Sequence, residues 1–202
     1  MEQNQFSSSL LGRAAHVRLN VNPPESKFYD SDDIIIDAVC DGDTRKFEEL
    51  VIKYQDFVYT LVFNIVKTEE SAKDVVQEVF LRVYKSIRRF ERKSSFKTWL
   101  YRIAYNTALA HLKREKPLSA LGDQVLLEPK AKPAKDHALK MTLDKLIAKL
   151  KPELQAVILF HYYDDLKYEE IAEVLDCPLG TVKIRLYRAK FELRKLWEIY
   201  AV

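Results

Sequence analysis

Two groups of residues in this chain have the types and spacing to do chemistry, and in both that chemistry is recognition of a polyanion rather than bond making. The first lies in the stretch Tyr168 to Lys195, YEEIAEVLDCPLGTVKIRLYRAKFELRK. At about 100° per residue, Val182, Leu186, Ala189, Leu193 and Leu196 share one side of a helix. Gly180, Thr181, Lys183, Ile184, Tyr187 and Arg188 point away, with Arg185 at the edge of the packed face. Six basic residues and one acidic residue lie between Lys183 and Lys195, which suits the first turns to a DNA major groove and the rear to phosphates. The second group is the basic loop Arg88 to Ser95, RRFERKSS, and the helix expected from Phe96 to about Arg114. That helix carries Trp99, Ile103 and Ala110 on one side and Tyr101, Tyr105, Ala108 and Leu112 on the other. One side must enter a core. The other, interleaved with Lys97, Arg102 and Lys113, either offers rings and charges to single-stranded nucleic acid or is buried as well.

Chemistry of other kinds has no set of residues to carry it. No grouping of nucleophile, base and orienter is apparent, and no clustered acidic metal site, CxxC or HxxxH occurs, so an enzyme is not expected and no cofactor is implied. Cys40 and Cys177 have no paired spacing, which points to free thiols in a reducing cytoplasm. His16, His111, His137 and His161 are scattered.

The elements that position these groups are helical. Four glycines in 202 residues and a near absence of alternating apolar patterns argue against sheets, while 48% hydrophobic content is enough for two small cores. In the first group, Glu169 to Leu175 forms one helix, small Ala172 lets a second cross closely, Asp176 tolerates a left-handed turn and Pro178 suits a first helical position. This is a helix-turn-helix, although a basic amphipathic helix can also be merely a solvated surface. Asp136 to Leu150 and Pro152 to Tyr162 supply two more helices, completing a four-helix C-terminal domain over 136–202.

Upstream, Ser31 is a plausible N-cap with Asp32 and Asp33 in the first turn, and Gly42 closes that short helix. A core helix follows from about Thr44 to Val66, with Phe47, Leu50, Val51, Tyr54, Val58, Leu61, Val62 and Ile65 at helical spacing. Thr68 is expected to cap a third helix, Glu69 to Ile87, which packs Val76, Val79, Phe80, Val83 and Ile87 inward. Its far side shows Asp74, Gln77, Glu78, Leu81 and Lys85, either a solvated face with one stray leucine or a docking stripe for a partner protein. With the ring-bearing helix these make an N-terminal bundle over 31–114.

The remaining stretches are connectors. Residues 1–30 read as a flexible arm, and 115–135, broken by Pro117, Pro129, Pro133 and Gly122, as a linker whose apolar residues lie in a groove of something else. Arg82 to Lys116 holds eleven basic and two acidic residues, leaving the rest of a chain of net charge +3 acidic. Polyanion binding is therefore concentrated in the middle and the C-terminal helix. The longest apolar run is well short of the ~18 residues a membrane span needs.

Three motifs, taken together, resemble bacterial RNA polymerase sigma factors, specifically the extracytoplasmic-function (ECF) group of the sigma-70 family. They are DVVQEVFLRVYKSIRRF at Asp74 to Phe90, SSFKTWLYRIAYN at Ser94 to Asn106 and EEIAEVLDCPLGTVKIRLYRAK at Glu169 to Lys190. They are similar to the family's second and fourth conserved regions, in order and suitably separated, and the resemblance covers roughly Asp32 to Trp197.

The resemblance implies an all-α fold of two small helical domains joined by a flexible linker, binding core RNA polymerase and promoter DNA in duplex and single-stranded form. It gives Asp74, Gln77, Glu78, Leu81 and Lys85 the coiled coil of the β′ subunit as partner, rests the C-terminal domain on the β flap and passes the linker through the RNA exit path. It implies that Phe90, Arg92, Lys93, Ser94, Ser95, Phe96, Trp99, Arg102 and Asn106 hold the minus-ten element as an opened strand. Thr181, Lys183, Ile184, Arg185, Tyr187 and Arg188 would read the minus-thirty-five element. An anti-sigma protein is a partner that many family members have.

Three departures matter. The loop lacks the glycine often found there. Leu100 stands where primary sigma factors have a second tryptophan, which suggests weaker melting and stricter promoter choice. Ile184 replaces a frequent serine, allowing a thymine-methyl contact in place of a hydrogen bond. The expectation is thus a cytoplasmic, non-catalytic promoter-specificity subunit. The competing expectation is a two-domain helix-turn-helix regulator outside the polymerase.

Overall fold

The computed structural model describes residues 31–115 and 143–200, which are helical and, among those residues, contain no strand. Expectations for the arm, the linker and residues 136–142 lie outside them. Helix α1 spans Ser31–Cys40, α2 Lys46–Val66, α3 Glu69–Ser86 and α4 Phe96–Glu115. A short 3₁₀ turn, Ile87–Arg89, ends α3. In the C-terminal half a helical segment over 143–148 leads to α5, Pro152–Ile158, which widens into a π-type turn at Leu159–Tyr163. Helices α6, Tyr168–Val174, and α7, Leu179–Tyr200, close the chain.

Local chemistry accounts for the boundaries. Gly42 takes φ 109° after α1, a conformation open to glycine at no steric cost. The α2 helix begins at Lys46 rather than Thr44, because residues 43 to 45 form a turn. It ends where the Lys67 N–H, in a left-handed conformation, bonds the Phe63 carbonyl at 2.9 Å. Thr68 caps α3 by accepting from the Ser71 N–H at 3.3 Å. The inward stripes of α2 and α3, from Leu50 to Ile65 and from Ala72 to Val83, are buried together with Leu100, Ala104 and Ala108 of α4.

Asp32 and Asp33 do lie in the first turn of α1, but both are buried and act as more than dipole partners. Asp32 accepts from the Tyr54 hydroxyl and from Lys53 at 2.5 Å. Asp33 pairs with Arg92 at 2.8 Å. A carboxylate taken from water at such cost needs these bonds, and they staple α1 to α2 and to the basic loop.

The two domains, expected to be separated by a tether, pack against each other. Phe160 of the π-type turn meets Tyr101 of α4 at 5.8 Å and Phe57 of α2 at 5.9 Å between ring centres. The second apolar side of α4 is thereby covered, and Tyr101 and Tyr105 are buried. That side satisfies its apolar surface within the chain.

Candidate nucleic-acid and polymerase interfaces

The helix-turn-helix is built by short-range bonds. The Lys167 N–H donates to the Glu170 carboxylate at 2.8 Å at the start of α6, and the Leu175 N–H to the Ile171 carbonyl at 2.9 Å at its end. Asp176 takes φ 48°, the left-handed turn expected of it. The Thr181 N–H then bonds the Pro178 carbonyl at 2.8 Å, so Pro178 immediately precedes the first turn of α7 instead of lying within it. Val182, Leu186 and Ala189 are buried against α5 and α6, while Leu193 and Leu196 pack at the margin of the core.

Packing this face inward leaves the opposite one in solvent. Ile184 is 54% exposed and Tyr187 72% exposed. Lys183 and Arg188 are exposed beside them, and Thr181 is half-buried at the start of the row. Arg185 is half-buried with its guanidinium 3.8 Å from the Cys177 sulfur, aimed at the turn. A convex row of one aromatic, one aliphatic and two cationic side chains on the first turns of a helix can enter a major groove. Sequence reasoning missed the aromatic continuation of this surface, where Lys190 lies over the Tyr162 ring at 5.4 Å and Lys195 over Phe191 at 4.6 Å. Their separation along the chain hides the first pair, whereas the four-residue spacing of the second was available.

On α3, Asp74, Gln77, Leu81 and Lys85 are exposed along one face, and Leu81 is 52% exposed. Glu78 sits among them half-buried, bonded by Arg82 at 2.5 Å and reached by Arg114 at 3.6 Å. The Arg82 hydrogen bond holds its carboxyl below the usual range. Tyr84, which the sequence reading passed over, is exposed next to this face and edge-packed on Phe47. Arg82, Lys85, Arg102 and Asn106 line one groove between α3 and α4. The stripe and the α4 residues thus share an edge.

The basic loop departs most from expectation. Phe96 is 1% exposed, a core ring wedged against Tyr54, Phe90 and Trp99, and it cannot present a face to DNA in this conformation. Arg92 is likewise corrected: it turns back into the protein and pairs with Asp33 and Asp37 of α1. Although desolvation opposes it, these bonds raise the Arg92 pKa. Arg92 also occupies φ 52°, the left-handed conformation that a glycine would adopt freely. Arg92 thus holds a left-handed turn with its side chain pinned at the far end.

Ser95 caps α4, accepting from the Thr98 N–H at 3.1 Å, and Ser94 is half-buried beside it. Phe90 and Trp99 are half-buried with centroids 5.1 Å apart. Lys93, paired with Glu91, and Asn106 are exposed. Arg102 donates to the Glu173 carbonyl of α6 at 2.8 Å. The loop and α4 thus offer Phe90, Lys93, Trp99 and Asn106 at the surface, with Arg102 engaged across the domain boundary. Among the described residues no group of His, Cys, Asp and Glu is placed to hold a metal ion, and no helix is long and apolar enough to cross a membrane.

Comparison with known proteins bears on what these surfaces do. The family model for sigma-70 region 2 matches residues 50–117, and that for sigma-70 region 4 matches residues 140–193. RNA polymerase sigma-H factor of Pseudomonas aeruginosa is 34% identical over 181 residues, covering 82% of this chain and 93% of the relative. The ECF RNA polymerase sigma-E factor of Escherichia coli K12 is 34% identical over 174 residues, covering 79% and 91%. This chain belongs to the ECF group of the sigma-70 family. It is an alternative sigma factor for promoter recognition, a class that works with core RNA polymerase on promoter DNA, and the stand-alone regulator is not favoured.

Solved structures share the fold of this sigma factor. CnrH in complex with the cytosolic domain of CnrY superposes with TM-score 0.65 at 21% identity, covering 85% of this chain and 99% of that one. RpoE from Bartonella quintana, in complex with the anti-sigma factor NepR, does so with TM-score 0.64 at 19% identity, covering 77% and 99%.

Proposed function

We propose that this sigma factor docks on core polymerase through α3, reads the minus-thirty-five element with α7 and holds the opened minus-ten strand with the loop and α4. The observation that carries this reading is the solvent-exposed row Lys183, Ile184, Tyr187 and Arg188 on a helix packed from behind by the rest of the turn motif. Arg188 and Lys183 approach phosphates or base edges, and Ile184 meets a thymine methyl. On α3, Asp74, Gln77, Glu78, Leu81 and Lys85 meet the β′ coiled coil, with Leu81 as the apolar anchor. The C-terminal domain rests on the β flap.

Opening a duplex costs a few kcal/mol per base unstacked. Phe90, Trp99, Lys93, Asn106 and Arg102 offset part of it by stacking and by phosphate contact. Nucleotidyl transfer belongs to the polymerase, and the sigma factor itself contributes recognition without catalysis in the cytoplasm. The working units are 31–114 for polymerase and the minus-ten strand and 136–202 for the minus-thirty-five element, with 1–30 an arm and 115–135 a linker. An anti-sigma protein is a further partner in this reading, as RpoE is seen with the anti-sigma factor NepR.

The test mixes the purified chain with core polymerase and a promoter library and measures binding and run-off transcription. Transcripts starting without any other sigma factor support the reading. Folded protein that does not bind core contradicts it.

A further inference from the structure

Helix α1 lies outside every contact set proposed above, yet it grips the middle of the strand-holding loop. Asp33 and Asp37 share one face of α1, a turn apart. Each takes one part of the Arg92 guanidinium, with Nε donating to Asp33 at 2.8 Å and Nη2 to Asp37. A guanidinium presents its donors in a fixed fork, so two carboxylates on it set its direction as well as its distance. The Arg92 side chain is 18% exposed and that of Asp33 2%, which leaves water little access to this pair. Helix α1 is in turn fixed to the bundle by buried Ile36 and Val39 and by Asp32, which accepts from Lys53 at 2.5 Å and from the Tyr54 hydroxyl.

The loop needs such a hold. Its ends are secured locally, where the Phe90 N–H donates to the Ile87 carbonyl at 3.1 Å and Ser95 accepts from the Thr98 N–H at 3.1 Å. Its middle passes through Arg92 at φ 52°, a conformation that residues other than glycine rarely take unaided. Left to local preference, the backbone there would relax into the ordinary regions and carry its neighbours with it. With Arg92 drawn inward, Lys93 beside it is exposed, and Phe90 stays packed 5.1 Å from Trp99. Those three side chains are among the ones assigned above to the strand.

We infer that Asp33 and Asp37, acting through Arg92, are positioning residues for the minus-ten strand, holding the loop in its binding shape without touching the strand themselves. The inference rests on the reading of the loop as strand-holding. It reverses the sign expected from charge alone. Deleting a carboxylate near a polyanion site ordinarily strengthens binding, because a repulsive charge is gone. Deleting Asp37 weakens it, because the loop loses its shape.

The test uses holoenzyme and two labelled probes, the single-stranded minus-ten fragment of a promoter selected by run-off transcription and an oligothymidylate of the same length. If release of Arg92 leaves the loop in its binding shape about one-fifth of the time, Asp37→Ala weakens the promoter fragment about fivefold and oligothymidylate much less. Asp43→Ala removes the same charge from the turn after α1, where the carboxylate faces Arg45 at 3.6 Å, and does not weaken either probe. Asp37→Glu, which keeps a carboxylate for Arg92, retains the affinity. In an Arg92→Gly background the left-handed backbone is free and the pin is gone, so adding Asp37→Ala has no further effect.

Promoter-strand affinity that is unchanged or higher in Asp37→Ala overturns the inference, as does an equal loss in Asp43→Ala or a loss that persists with Arg92→Gly already in place. Should Asp37→Ala fail to fold, Asp37→Asn, of the same size but without the charge, is read in the same way. Lys93→Ala and Asn106→Ala are measured alongside. If neither weakens the promoter fragment, the strand-holding reading fails and the inference with it. If they weaken it while Asp37→Ala does not, the role of α1 alone is overturned.

Discussion

Arg92 has a left-handed backbone and a guanidinium held by Asp33 and Asp37, so it does the work of a turn glycine and of a staple at once. Removing the side chain in Arg92→Ala weakens the hold on buried Asp33 and is expected to cost roughly 1–3 kcal/mol in urea unfolding. Lys93→Ala, next in sequence but exposed, is expected to stay within about 0.5 kcal/mol. Tyr105 gives a second expectation at this scale. Burial, with the charge of Glu153 adding to it, pushes its pKa up to about 12. The neutral phenol is thus favoured in the folded chain, and its contribution is full below about pH 10, the ordinary value for tyrosine. It is lost as pH rises toward about 12, so tyrosinate absorbance is expected to lag free tyrosine and appear together with loss of structure.

Helices were legible one at a time. The Thr68 cap, the left-handed Asp176, the inward stripes of α2 and α3 and the exposed row on α7 follow from spacing and turn chemistry, which act within a few residues. What spacing could not decide was the destination of a helix apolar on two sides. Trp99 and Tyr101 of α4 look alike in sequence, yet Tyr101 is sealed against Phe160 while Trp99 keeps an edge in solvent. Phe96 and Arg92 were misplaced for the same reason, since their partners Tyr54, Asp33 and Asp37 lie some forty to sixty residues away.

For α3 the local pattern makes a sharp prediction. Glu78→Ala combined with Leu81→Ala is expected to weaken binding to core polymerase in a pull-down while sparing binding of a duplex minus-thirty-five fragment. Loss of both would mark misfolding rather than a lost docking stripe.

At the scale of the whole molecule, the proposed function has one polymerase hold two recognition surfaces in register, α7 for paired bases and the loop with α4 for a separated strand. Both surfaces reach solvent in the free chain: Tyr187 is 72% exposed on α7, and Lys93 and Asn106 are exposed on the loop and α4.

The most direct measurement uses holoenzyme and a promoter chosen from the library, split into a duplex minus-thirty-five fragment and a single-stranded minus-ten fragment. Arg188→Ala is expected to weaken duplex binding, by ~1–3 kcal/mol if the side chain reads a base edge, and to leave the strand untouched. Asn106→Ala is expected to do the reverse. If both variants weaken both fragments equally, or neither weakens either, the division of labour between α7 and α4 is contradicted.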